Sequence, residues 1–555
     1  MERTVSDSSS SVARRPDTLR IALERAGRLA PLPAAFRAGR ELDLLSPLRF
    51  VDSGDESPEL PCPQVDRTAL AAALADANAA YGHPAAAGLA RRLADPATRV
   101  IVTGQQPGLF GGPLYSLVKA IGAQLWAEKL SAAGQPAVAV FWVATEDHDW
   151  AEMSHAVLTL SDGARSFDLG ADPAPLLPAG MRTFGEPLRA VHAALAAAYP
   201  DGPAAAALGR LAAWYRPDAR FGEAFCRLLA GLLGERCPLL LDSMLPALKT
   251  AERPWLERLV DERRAVDAAI GAAEAALAQR GFTPQVTPQP GASPLFLLRG
   301  GARRRIVWDG ADHFTLRGLD ERFPVAELYQ TIAENPGVVS PGVLARPAVQ
   351  DAILGSALFL VGPGELSYLP QAVATHRALG IAAPGVALRP QALLLEPGER
   401  RQLDALGEDG PAFLAPDADV ERLLARRAGE SFVAAAAPGI LAAVDALRAP
   451  AMDVDSTLER PFAKTREQIE RALEAFAAKL DAARARREST ARGRVERLRS
   501  AALPLGGVQE RTLAVADLPL RFGWDAAQRL LAELTTEPAL HVLTLGAAAG
   551  TEGAG

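Results

Sequence analysis

Apolar positions along the chain fall into two recurring patterns. The first is a short unbroken apolar run that stops at glycine, proline or an acid. "TRVIVTG" (Thr98–Gly104), "AVAVFWVA" (Ala137–Ala144), "CPLLLD" (Cys237–Asp242), "ALFLVG" (Ala357–Gly362) and "GVALRP" (Gly385–Pro390) are of this kind. Such runs predict strands buried on both faces of a parallel sheet. The second is helical periodicity. Leu114, Leu117, Val118, Ile121 and Leu125 recur at helical spacing, and Gly134 and Pro136 end that stretch. Pro113 is expected at the first position of this helix, where its missing N–H has no partner to lose. Leu366 to Leu379 fits a second helix between two of the runs. Strands alternating with helices predict an α/β fold, an open and mostly parallel sheet covered on both faces.

The intervening stretches are long. Residues 161–235 are rich in alanine and mostly helical in pattern, 255–280 fit another helix, and 283–325 look β-like, with a hairpin around Gly300-Gly301. These are expected to be insertions, about 161–235 and 255–335, in a core spanning 21–415. From Pro416 to Ala502 the composition shifts to Ala, Arg, Glu and Leu. Leu458, Phe462, Thr465, Ile469, Ala472 and Phe476 step by 4, 3, 4, 3 and 4, a heptad seam. The expectation is a coiled-coil hairpin over 416–502, antiparallel with 418–448; the alternative is one amphipathic helix lying on a core. Residues 503–545 look α/β again and are expected to return to the core. Residues 1–20 and 546–555 are expected to be disordered ends. A length of 555 residues by itself suggests about three domains.

Composition narrows the function classes. With 49% apolar and 23% charged residues the chain is a globular protein. A net charge of −7 without a dominating basic stretch argues against nucleic acid as a partner. Three cysteines, Cys62, Cys226 and Cys237, give neither a disulfide framework nor metal-ligand spacing, so no metal site is expected and a reducing cytoplasm fits. No apolar run reaches the ~18 residues that cross a bilayer, so no membrane partner is expected.

Candidate chemistry concentrates at two strand ends. "VTGQQPGLFGGPLYSLVKA" (Val102–Ala120) follows the first run, and "TEDHD" (Thr145–Asp149) follows the second. In open α/β sheets ligands bind outside the carboxyl ends of the strands, so the two stretches are expected to wall one site. Gly104, Gly108 and Gly112 would let backbone approach a ligand closely, and the N–H groups of the next helix could face an anion. The glycine spacing is neither G-x-G-x-x-G nor a phosphate loop. Gln105 and Gln106 are adjacent amides that need partners if buried. In the acidic run, an extended chain would place Glu146 and His148 on one side and Asp147 and Asp149 on the other. The acids could raise the His148 pKa and make it a general acid or base, with Glu146 or Asp147 beside its imidazolium; they could also hold Mg²⁺ beside phosphates. Lys119 could reach back to an anion or lie as a surface lysine. Arg346, in "SPGVLARP", suits a carboxylate or phosphate. Gly364 and Glu365, in "GPGE", repeat the glycine turn at a later strand end.

These stretches, with "VFWVATEDHDWAEMSH", "SPGVLARPAVQD", "VGPGELSYLPQ" and "QER" at Gln509–Arg511, occur in an order that resembles the bacillithiol biosynthesis family BshC, the cysteine-adding enzymes. The resemblance extends over nearly the whole chain. It implies a Rossmann-like core with connecting-peptide insertions and a coiled coil that forms a homodimer. It implies a ligase that adds L-cysteine to glucosaminyl malate, the last step to bacillithiol, with ATP, alone or with Mg²⁺, activating the cysteine carboxylate as an acyl-adenylate or acyl-phosphate. The family's nucleotide is associated with the region where coiled coil and core meet. The chain lacks the HIGH-type and KMSKS-type signatures of class I synthetases, which the core otherwise resembles. The expected roles are catalytic for His148, Asp147 and Glu146, and substrate-binding for Gly104, Gln105, Gln106, Gly108, Gly112, Lys119, Asp149, Arg346, Gly364 and Glu365. Two other readings share the fold: a nucleotidyltransferase-like or amide-forming enzyme with another small acceptor, and a dimeric binding protein without turnover.

Overall fold

The computed structural model describes residues 18–51, 58–287, 291–310, 312–428 and 432–546. The chain divides into two compact units, residues 1–397 with 503–555, and residues 398–502. Of the expected disordered ends, 1–17 and 547–555 lie outside the described residues.

The first unit is built on a six-stranded parallel sheet. Its strands are β1 (Arg49–Phe50), β2 (Arg99–Gln105), β3 (Ala137–Val143), β4 (Leu239–Asp242), β5 (Ser356–Val361) and β6 (Gly385–Leu388). Their order is β1-β6-β5-β2-β3-β4, with every neighbouring pair parallel. Successive β3 side chains enter different apolar clusters: Val138, Val140 and Trp142 pack in one, Phe141 and Val143 in another. Both faces are therefore covered, which is why the strand reads as an unbroken apolar run. The connection after β2 leads away to β3 and β4, while that after β5 leads the other way to β6. The border between β2 and β5 is thus the switch point at which such sheets open a crevice.

Helix α1 (Tyr115–Ala132) joins β2 to β3. It starts at Tyr115 rather than at Pro113, because Pro113 forms a bridge to Ala514 and the Leu114 N–H donates to Leu513 O at 2.7 Å. The helix expected over 255–280 is two, α2 (Pro246–Asp261) and Arg263–Gln279, parted at Glu262. Helices α3 (Arg346–Leu354) and α4 (Pro363–Leu379) flank β5.

The insertions do not fold apart from the sheet. The first opens with a β hairpin, His155–Leu160 with Gly163–Asp168, before its helices begin. Its helices Pro187–Ala198 and Phe221–Leu233 share one apolar cluster with β3 and with Leu518 and Leu531 of the returning C-terminal segment. The second carries a five-stranded antiparallel sheet in which Ala292–Arg299 pairs with Ala302–Asp309. Gly300 and Gly301 turn that hairpin with φ of 59° and 78°, a conformation that favours glycine. A three-stranded sheet brings residues near the two ends of the chain together: Thr18–Ala22 pairs antiparallel with Ala539–Thr544, which pairs parallel with Gln391–Leu395. Residues 18–20, expected to be disordered, are thus the edge of a sheet.

The second unit begins at Gly398 rather than at 416, taking in the helix Pro397–Leu406. Its longest element is α5 (Glu459–Ala502). Helices Val420–Ala428, Phe432–Asp445 and Arg448–Val454 run antiparallel to it. Ion pairs fix the direction: Arg492 meets Glu421, Arg466 meets Asp445 at 2.6 Å, and Arg448 meets Glu459. Within one chain the heptad seam is not fully covered, Phe476 being 54% exposed.

Candidate active site

The end of β2 must be bare. A Cβ on Gly104 would lie 2.6 Å from the Trp142 carbonyl oxygen on β3. The following loop is bare for a different reason. Residues 106–112 are buried. A Cβ on Gly111, at φ 90°, would lie 2.6 Å from Val515 Cβ and 2.8 Å from Leu228 Cδ2. One on Gly108 would lie 2.9 Å from Gly112 Cα. The core, not a ligand, approaches this loop. Ahead of α1, the Leu114 N–H is already bonded to Leu513 O.

Strand β3 stops at Val143. The Thr145 N–H turns back to Val143 O at 2.8 Å, so the acidic run is a turn and the expected alternation of its side chains does not hold. Each member goes its own way. Glu146 pairs with Lys249 of α2. Asp147 lies 3.5 Å from Arg303 Nη1. His148 Nδ1 is 3.4 Å from the same Nη1, with its ring edge-on to Phe296 at 6.2 Å. The Asp149 carboxylate caps a short helix by accepting from Glu152 N–H at 3.1 Å.

A cavity of about 280 Å³ opens at the switch point. Gly104, Gln105, Gln106, Glu146, Asp147, Arg346 and Glu365 line it, together with Glu152, Ser243, Arg303 and Tyr368, which sequence reasoning missed. Beside it, a cavity of about 270 Å³ is lined by Lys119, Gly364, Arg389 and Arg511, with Gln105, Glu365 and Tyr368 shared. Gly112 borders a third, of about 140 Å³, with Tyr115 and Glu152. His148, Asp149 and Gly108 line none of these three. The shared-wall expectation therefore holds for the strand ends and fails for the glycine loop and for His148.

The polar groups are tightly partnered. Gln105 Nε2 donates to Glu152 Oε1 at 2.8 Å and to the Tyr115 hydroxyl at 2.9 Å, and Gln106 Nε2 donates to Asp149 O at 3.1 Å. Lys119 is buried, not a surface lysine. Its Nζ donates to Gly104 O at 2.7 Å and Gln105 Oε1 at 3.0 Å, and meets Glu365 Oε2 at 2.7 Å. Glu365 also accepts the Gly362 N–H at 2.8 Å, tying the end of β2 to the start of α4. Arg303 donates to Ser340 Oγ at 2.9 Å and stacks 4.0 Å over Phe296. Arg346 Nη1 donates to Gln350 Oε1 at 2.9 Å.

Burial sets the proton affinities. It lowers the His148 pKa, and the Arg303 charge lowers it further, against a smaller raising effect of Asp147 and Asp149. The acids act in the expected direction, but burial and Arg303 outweigh them, so the net shift is downward. Burial raises Glu146 against the pull of Lys249, and raises Glu152, with Asp149 and Asp147 adding to the rise. Lys249, Glu252 and Arg303 lie outside any motif. A usable signal existed for Arg303: "ARRRIVWD" is a predicted strand on which period-2 alternation sends Arg303 and Arg305 to one face, and both stack on Phe296. For Lys249 the signal was the polar end of "CPLLLD", a strand end like the others.

The domain description "Bacillithiol biosynthesis BshC, N-terminal Rossmann-like domain" matches residues 54–390, and "Bacillithiol biosynthesis BshC, C-terminal coiled-coil domain" matches residues 430–544. The chain belongs to the BshC family. A relative from Salinibacter ruber is 32% identical over 461 residues, covering 81% of this chain and 83% of its own. One from Solibacter usitatus is 30% identical over 456 residues, covering 81% and 85%, and one from Thermus thermophilus is 31% identical over 437, covering 78% and 85%. Each carries the name "Putative cysteine ligase BshC". The BshC Rossmann-like match spans β2 to β6 and every lining residue named for the switch-point cavity. The BshC coiled-coil match includes α5 and runs on to Ala539–Thr544 in the first unit. Among the described residues no helix is long and apolar enough to cross a membrane.

Proposed function

We propose that this chain is an amide-forming ligase that joins the carboxylate of L-cysteine to the amine of glucosaminyl malate, the last step of bacillithiol synthesis. The observation that carries this reading is the cavity at the switch point, whose wall sets Arg303 and Arg346 against Glu146, Asp147 and Glu152. Arginines suit the two carboxylates of a malate group, since a guanidinium binds carboxylate through paired donors. The acids suit an amino group. The names of the relatives agree with the reading.

A free carboxylate is a poor electrophile, so ATP is the co-substrate that activates the cysteine carboxyl. The middle of the glycine loop does not fit phosphate, because Val515 and Leu228 press on Gly111. The neighbouring cavity does: Lys119, Arg389, Arg511 and the start of α4 at Gly364 would hold a phosphate chain there. Mg²⁺ would arrive with the nucleotide, held by its phosphates. The partly exposed Leu458 and Phe476 support a homodimer through the coiled coil, and a thiol product fits the reducing cytoplasm.

The test is incubation of the purified chain with cysteine, glucosaminyl malate and ATP, followed by mass detection of bacillithiol. ATP-dependent product supports the ligase. Binding of both substrates without product under any nucleotide overturns it in favour of a binding protein.

A further inference from the structure

Behind the wall of the switch-point cavity, Lys249 Nζ sits between two carboxylates, meeting Glu146 Oε1 on one side and Glu252 Oε2 on the other. Lys249 and Glu252 are both on α2, one turn apart. All three side chains are at most 9% exposed, and Glu252 is fully buried. Only Glu146 borders the cavity. Its turn is fixed by its own N–H, which donates to Ser243 Oγ at 3.1 Å.

The charges in this row do not balance. One ammonium faces two carboxylates, so full ionisation leaves a negative charge in a site closed to water. Charges around the row do not correct this. Arg303 and Asp147 both face Glu146 and offset each other. Asp242 faces Lys249, is itself buried, and is bonded to the Thr145 hydroxyl. A structural ion pair needs one carboxylate. The second has an oxygen, Glu252 Oε1, with no hydrogen-bond partner, which is a cost in a purely structural arrangement. A row that holds one extra proton removes the excess charge, and a row that opens onto a cavity at one end can exchange that proton with a ligand.

We propose that Glu146 takes the proton from the acceptor's amino group and that Lys249 and Glu252 carry it away from the cavity. The inference rests on the ligase reading. The acceptor's ammonium must lose a proton before its nitrogen lone pair can attack the activated acyl carbon of cysteine. That proton moves to a Glu146 oxygen, leaving a neutral amine and a carboxylic acid. Lys249 then gives a proton to Glu252 and receives one from Glu146. The lysine ends as it began, Glu146 is again a carboxylate, and Glu252 holds the proton. The amine nitrogen next forms the bond to the acyl carbon, the activating group leaves with its electron pair, and the second proton of that nitrogen passes to the restored Glu146 carboxylate. Glu146 is the catalytic residue; Lys249 and Glu252 are positioning residues that act through it. Burial pushes Glu252 up to about 8 and also raises Glu146, whereas the two carboxylates push Lys249 up to about 12. The lysine thus stays charged near neutrality while the pair of acids gains or loses one proton. His148 lines none of the three cavities and has its proton affinity lowered.

Two measurements test this on the full-length chain, Glu252→Gln being close to isosteric. The first is infrared titration without substrate. The wild type should show a buried carboxylic-acid band that disappears with a midpoint near pH 8, and E252Q should lack it. The second is the pH profile of cysteine-amide formation. The wild-type kcat should rise through a limb near the same pH. In E252Q that limb should move to lower pH by at least about one unit with KM unchanged, and E146Q should lose about 10²–10⁴-fold in kcat. An unchanged band and limb in E252Q, with the wild type making the amide, overturns the relay and leaves the ligase reading intact. A wild type that shows the band but makes no amide overturns the ligase reading and, with it, the role given to Glu146.

Discussion

The glycine loop after β2 and the acidic turn after β3 end neighbouring parallel strands, and both stand out in the sequence, yet the fold uses them in opposite ways. The loop is bare because Val515 and Leu228 press on Gly111. The turn is charged because partners from three remote elements reach it: Lys249 on α2, Arg303 on the insertion sheet, and the Ser243 hydroxyl beyond β4. A bare stretch marks close approach by something, and only tertiary structure says whether that is core or ligand. A charged stretch at a strand end marks a site more directly, because buried charge without a partner is too costly to persist by accident.

The sharpest break in this comparison is Lys249→Met. It removes the only ammonium between Glu146 and Glu252 and should cost about 3–5 kcal/mol of stability, as loss of one member of a buried ion pair does. Chemical denaturation would show it, and a loss below about 1 kcal/mol would mean that the row is wetter than its burial implies. Next comes Gly111→Val in the loop. Its side chain would overlap Val515 and adopt positive φ, costing about 3 kcal/mol. If the folded fraction that remains binds substrate normally, the loop is core alone; weakened binding would return it to the site.

Arg303→Ala should raise KM for the carboxylate-bearing acceptor by about 10–100-fold, the value of one or two charge-assisted hydrogen bonds, with little change for cysteine. The pH dependence of stability is a separate readout, tested by Glu252→Gln. The folded-state pKa of Glu252, about 8, lies above its unfolded value, so the native state binds the extra proton. Stability from this group therefore falls as pH rises from the ordinary glutamate range to about 8. E252Q should lose that dependence and compare better with wild type at pH 9 than at pH 6 in thermal melts. The smallest effect expected is that of His148→Ala on kcat, because the imidazole lies against Phe296 outside the cavity. A large loss would restore it as the base.

The sheet was legible because its strands are buried on both faces and read as unbroken apolar runs, and the 300–301 hairpin was legible because its turn demands glycine. The rule that ligands gather at strand ends led to Gly104, Gln105, Gln106, Glu146, Asp147, Arg346 and Glu365. The same rule overreached at Gly108 and His148, where chain proximity was taken for a shared wall. Glu146 and Lys249 are 103 positions apart, and His148 and Arg303 are 155 apart. Local spacing carries no information about such pairs. The helix Pro397–Leu406 has no heptad step, so nothing in the sequence marks a second unit beginning as early as Gly398.

The sheet that brings residues near the two ends of the chain together sets a timetable for synthesis. The Thr18 hydroxyl donates to Glu533, 515 positions later, and at about 5–20 residues per second a ribosome needs roughly half a minute to two minutes to bridge that gap. Throughout that interval the strand Thr18–Ala22 has no partner in Ala539–Thr544 and must be shielded from other chains. The site waits as well. Glu510, which holds Arg389 at 2.7 Å, and Arg511, which borders the second cavity, are also made late. A chain released early lacks both the clasp and a finished site, so degradation of an incomplete copy sacrifices no working enzyme.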